Sequence, residues 1–183
     1  MKEKLVKFNL KDKLVSSLII APTLAVMLIS ATYQLFASQS GLIESGLAIA
    51  MSLITAVSIA AGIVLSILYS KELVPTIYAL LFGLAFVCYL VITLSGKSNV
   101  AEDAFFEMMM LIFTLPLMSF MSLPPLLNAD RAVILLIISA IITAASIASV
   151  VYIVIKEKRE AERIKNEEKA KAEMPDRRRR KVR

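Results

Sequence analysis

No histidine and no tryptophan occur in these 183 residues, and Cys88 is the only cysteine. Each absence removes a class of chemistry. Without histidine the chain lacks the commonest general base near neutral pH and the commonest nitrogen ligand for a transition metal. A lone cysteine excludes an intrachain disulfide. Cys88 lies mid-way along an apolar stretch with no basic partner, so it reads as an inert packing residue. Five scattered glycines leave no phosphate-cradling loop. Together these gaps point away from an enzyme and give no reason to expect a cofactor or a metal.

Charge is also missing from most of the chain. Between Leu14 and Ile155 the only ionisable acids and bases are Glu44, Lys71, Glu72, Lys97, Glu102, Asp103, Glu107, Asp130 and Arg131. All lie in or beside short gaps between apolar blocks. A charge at a bilayer centre costs about 2.5–3.5 kcal/mol or more, and a hydrocarbon solvent enforces this distribution. With 58% apolar residues and a mean hydropathy of +0.75, the chain reads as an all-α, polytopic helical bundle in a lipid bilayer.

Three regions follow. Residues 1–13 form a basic, amphipathic N-terminal arm with five lysines among Leu5, Val6, Phe8 and Leu10. Residues 14–155 form the transmembrane domain, with hydrophobic helices expected over 14–36, 42–69, 73–94, 105–127 and 132–155. The first block is too long for a signal-peptide core and lacks a clean cleavage site, so it reads as a retained anchor, kinked at Pro22. The fourth carries Pro116 and Pro124-Pro125 and reads as broken, with re-entry an option. Residues 156–183 change character to a charged helix, expected to stop at Pro175, followed by a disordered basic end.

Orientation sets two inferences against each other. All but Lys97 and Arg131 of the 21 lysines and arginines fall in the two ends or at Lys71. The positive-inside rule then asks for both ends in the cytoplasm, whereas five crossings place them on opposite sides. Five crossings with the N-terminus outside is the expectation; a fourth block that does not cross is the alternative. The C-terminal tail is cytoplasmic in either case, in the cell membrane.

Small residues hold helices together where lipid removes the hydrophobic drive. Gly46 with Ala50 and Ser58 with Gly62 make such pairs on the second block, and Ala140, Ala144 and Ala148 make a stripe on the fifth. These two blocks are expected to make the closest backbone contacts, within the bundle or across a homo-oligomer or a complex with other membrane subunits. Gln34, Gln39 and Asn128 are block-end polar residues expected to face the membrane interface. Glu102, Asp103 and Glu107 read as a solvated acidic loop, and Met108, Met109, Met110, Met118 and Met121 as gap-filling apolar residues rather than copper ligands.

The most specific feature is the end of the chain. Arg177, Arg178, Arg179, Arg180, Lys181 and Arg183 form a cluster that attracts anionic lipid headgroups when it lies close to a membrane. The same charges suit nucleic acid or a ribosome, through phosphate contacts. Five apolar blocks and a basic helical tail resemble, in architecture, the YidC-type membrane insertases. That resemblance implies a tail in contact with ribosomes and a buried arginine in a hydrophilic groove, and no block here holds an arginine. The expected function is a non-enzymatic membrane protein that is a subunit or partner-binding component of a complex. A small transporter or channel, and an insertase-like factor, are the alternatives.

Overall fold

A computed structural model describes residues 2–95 and 114–179, and every regular element among them is helical. Four long helices, α1 (Lys2–Gln39), α2 (Gly46–Leu68), α3 (Leu73–Ser95) and α5 (Arg131–Arg179), enclose a short one, α4 (Leu123–Leu126). Among the described residues these four, rather than five, are long and apolar enough to cross a membrane. The expected fourth helix is represented by a helical stretch at 114–118, turns at 119–122 and α4. Residues 105–113, with the acidic and methionine clusters at 102–110, lie outside the described residues.

The first and last of the long helices extend beyond their apolar blocks. The basic arm is helical from Lys2 and continuous with α1 through Pro22. The neighbouring Thr23 hydroxyl donates within the same helix to the Ile19 carbonyl at 3.4 Å. Pro175 does not end α5, which reaches Arg179. A proline frees one carbonyl four residues earlier, and in water that carbonyl is hydrated rather than orphaned.

Side-chain chemistry defines where helices begin and end. Ser45 caps α2 by accepting from the Ala48 amide at 3.3 Å, and Asp130 caps α5 by accepting from Ala132 at 2.8 Å. Three helix ends close alike, with one residue at positive φ: Gly41 (72°), Ser70 (51°) and Asn128 (49°). In each the next amide reaches back five residues: Leu42 to Ala37, Lys71 to Ser66 and Ala129 to Pro124. Only Gly41 carries no Cβ penalty for this conformation.

Two antiparallel pairs make the bundle. α3 packs along α5, and α1 along α2, whereas α2 and α5 meet over much less surface. Within the chain the two helices that carry the small-residue stripes, α2 and α5, thus pack mainly on α1 and α3 rather than on each other. The reason is visible in the faces. On α1 the buried positions 16, 20, 23, 27, 30, 34 and 37 alternate four and three apart, as do 48, 52, 55, 59, 62 and 66 on α2. Both seams consist largely of Ser, Thr, Ala and Gly, which let two backbones approach. On α5 the buried face is Leu135, Ser139, Ser146, Ser149 and Ile153, while Ala144 and Ala148 are exposed.

The ends of the bundle sort the connections. Val15 and Leu18 of α1 line one cavity with Leu65 and Tyr69 of α2, and the Lys156 ammonium donates to Ser70 Oγ at 3.2 Å. The start of the first apolar block, the α2–α3 turn and the emergence of α5 thus share one end. Ser95 and Arg131 share the other, so residues 96–130 leave and return at the same end.

Candidate functional site

The described part of 96–130 returns into the bundle, and polar side chains of α1 and α2 receive it. Ser52 of α2 is the hub. Its hydroxyl donates to the Ser119 carbonyl at 2.7 Å and lies 2.8 Å from the Ser122 hydroxyl. Ser30 of α1 donates to the same carbonyl at 3.4 Å, and Ser119 Oγ donates to the Met27 carbonyl at 2.9 Å. Ser122 Oγ reaches the Ala48 carbonyl at 3.1 Å. Gln34 donates through Nε2 to the Ala48 carbonyl at 2.6 Å and to Ser52 Oγ at 3.0 Å. Gln34, Ser30, Ser52, Ser119 and Ser122 are all fully buried.

This network answers a requirement of the fold. The turns at 119–122 carry i→i−3 bonds, from the Phe120 amide to Leu117 and from Met121 to Met118, and the Ser119 carbonyl is met by side chains of α1 and α2. Irregular backbone at membrane depth is tolerated where protein satisfies it. Ser30 and Ser52 lie nine residues before Gln39 and six after Gly46. At 1.5 Å per residue the turn is seated about 9–14 Å below the α1–α2 connection. Gln34, expected at the membrane interface, is instead part of the socket. The seven-residue repeat Ser16, Thr23, Ser30 leading to Gln34 is the sequence signal that marks this buried face, since polar residues at coiled-coil spacing point at a neighbouring helix.

A second junction lies deeper. Tyr78 of α3 is fully buried with its hydroxyl over Gly62 of α2, where an added Cβ would come within 2.6 Å of it. Gly62 thus serves helix packing, with α3 as the partner. Ser58 and Ala50 are half-buried and Gly46 is exposed. Ala140 is half-buried, and Ala144 and Ala148 face outward on α5. The structure does not bring the α2 and α5 stripes together. Between the two helices lies an apolar groove of about 280 Å³, lined by Ala56 and Ala60 of α2, Ile141 and Ala145 of α5, and Phe120 and Leu123.

At the other end of the bundle the α2–α3 turn meets α5. Slight burial of the Glu157 carboxyl acts together with the Glu72 carboxylate beside it, which repels and hydrogen-bonds it. These effects raise the Glu157 pKa above the ordinary carboxylate value, with Lys71 opposing them. Of the basic cluster, Arg177, Arg178 and Arg179 lie on the last turn of α5, and Arg180, Lys181 and Arg183 lie outside the described residues. Residues 157–170 are exposed throughout.

No protein-family model matches this chain, and no curated protein or solved structure is detectably similar to it. Its function has to be argued from these features alone.

Proposed function

We propose that the chain is a non-enzymatic, four-span protein of the cell membrane that acts as a component of a membrane complex. The fourth apolar block re-enters from the end opposite the basic arm, and both basic ends are cytoplasmic. This topology is supported by the shared end of Val15, Ser70 and Lys156, because it lets all but two of the 21 lysines and arginines lie on one side. It removes the conflict that five crossings create.

The observation that carries the complex-subunit reading is the outward alanine face of α5 beside the apolar groove. Ala144 and Ala148 contact solvent-side space, not the bundle, and Ala145, Ala56 and Ala60 edge the groove. In lipid, small faces that let a backbone approach suit a transmembrane helix better than they suit acyl chains. The test is Ala144→Leu with native mass determination after mild-detergent purification. Loss of an associated polypeptide or second copy, with thermal stability unchanged, supports the reading. An unchanged mass profile counts against it.

One observation favours a second reading, a small transporter or channel. Irregular backbone at membrane depth, ringed by hydroxyls, is the way many transporters build a substrate path. Solute flux in proteoliposomes that falls on Ser122→Ala would support that reading over the first.

A further inference from the structure

The first three arginines of the basic cluster, Arg177, Arg178 and Arg179, sit on the last turn of a long helix. α5 is one helix from Arg131 to Arg179, and Lys156 is tied to the α2–α3 turn where the helix leaves the bundle. From Lys156 to Arg177 is 21 residues, or about 32 Å of helix at 1.5 Å per residue. Even at a tilt of about 40°, the upper end of the usual range, Arg177 stands about 24 Å from the level of Lys156. The screening length at physiological ionic strength is about 8 Å, so roughly three screening lengths separate Arg177 from the headgroups of its own bilayer.

The stem has no means of lying down on the membrane. Residues 157–170 are all exposed, and Glu157, beside Glu72 of the α2–α3 turn, marks where α5 leaves the bundle. Their apolar side chains are Ala161, Ile164 and Ala170, too few for the continuous apolar face that an interfacial helix buries. Over 156–170 six cations alternate with five anions, with Lys156–Glu160, Lys158–Glu162 and Arg163–Glu167 at four-residue spacing. Such pairs support a helix in water without tertiary contacts. The stem is nearly neutral, and the charge is concentrated beyond it.

We infer that the basic cluster that begins at Arg177 binds a nucleic-acid phosphate backbone, its first three arginines held away from the membrane by the α5 stem. Six of the seven residues 177–183 are cationic and five of those are arginine, whose forked guanidinium matches phosphate oxygens. Val182 is the one uncharged residue of the seven, and the cluster has no aromatic side chain of the kind that anchors a protein interface. A polymer of phosphates needs no such anchor.

The experiment uses the full chain in nanodiscs, either zwitterionic or with about one-third anionic lipid. The probe is a fluorescent 20-nucleotide oligo-uridine, followed by anisotropy across a salt series, with a polyglutamate peptide of equal charge as comparison. Neutralising about six phosphates of a single strand gives a log–log salt slope near −4, a loss of roughly 250-fold between 50 and 200 mM salt. Replacing Arg177, Arg178, Arg179 and Arg180 by Gln should flatten the slope by about 3 and leave thermal stability unchanged. RNA affinity should differ by less than threefold between the two disc types. An affinity more than tenfold weaker in anionic discs would show that headgroups occupy the cluster, and would overturn the inference. So would tighter binding of polyglutamate than of RNA, or a quadruple variant with the wild-type slope.

Discussion

Replacing Ser52 by alanine tests whether the returning turn is held by α1 and α2. Three interactions disappear together: the donation to the Ser119 carbonyl at 2.7 Å, the acceptance from Gln34 at 3.0 Å and the 2.8 Å pairing with Ser122. Side-chain hydrogen bonds between membrane helices average about 0.6 kcal/mol each and reach about 1.7. The Ser119 carbonyl keeps only the longer contact from Ser30, so part of the cost of an unsatisfied backbone group, about 1–3 kcal/mol, is added. The expected destabilisation is about 2 kcal/mol. Ser149→Ala is the matched control, because the Ser149 hydroxyl donates within its own helix to the Ala145 carbonyl at 2.7 Å. Both substitutions gain the same alanine helix propensity, which cancels in the comparison. Reversible unfolding in mixed micelles with increasing SDS, followed by far-ultraviolet circular dichroism, measures the difference. If Ser52→Ala falls within about 0.5 kcal/mol of Ser149→Ala, the socket does not hold the turn and the reasoning fails.

Three further outcomes are expected. Gly62→Ala places a Cβ 2.6 Å from Tyr78 Oη in a fully buried site and should cost about 1–3 kcal/mol. Adding Tyr78→Phe, which removes the atom that clashes, should recover more than half; no recovery would locate the strain elsewhere. For the topology, single cysteines at Lys71 and Lys158 in a Cys88→Ala background should react with an impermeant maleimide from the same side of sealed vesicles, and one at Arg131 from the other. Labelling of Lys71→Cys and Lys158→Cys from opposite faces would sink the four-span arrangement. Glu157 titrates above its unfolded value, so the folded state binds more protons and stability rises as pH falls through the window just above the normal carboxylate pKa. Glu157→Gln should flatten this dependence in thermal unfolding between pH 7 and pH 4, and an unchanged profile would exclude the Glu72–Glu157 repulsion as its source.

The membrane class and the helical content were legible in the chain because a hydrocarbon solvent constrains composition directly, and Leu14–Phe36 or Ala132–Ile155 can satisfy their peptide groups in no other common way. Helix boundaries were less legible where a helix continues into water. The arm before Leu14 and the stem after Ile155 carry charge, which marks where the membrane ends rather than where the helix does.

Which faces meet was decided by the tertiary structure. Ala140, Ala144 and Ala148 and the serines at 139, 146 and 149 are both small-residue stripes on one helix. The serine side turns inward here, while Ala144 and Ala148 stay outside. Local spacing identifies a stripe but not its partner, because a small-residue face admits any backbone that can approach it, within the chain or outside it. The fourth block shows the same limit. Its hydropathy suits a crossing as well as a re-entry, and the choice rests on whether other helices offer hydrogen bonds to its broken backbone. Ser30 and Ser52, far away in sequence, offer them to the Ser119 carbonyl, Gln34 reaches the Ser122 hydroxyl, and only the folded bundle brings these groups together.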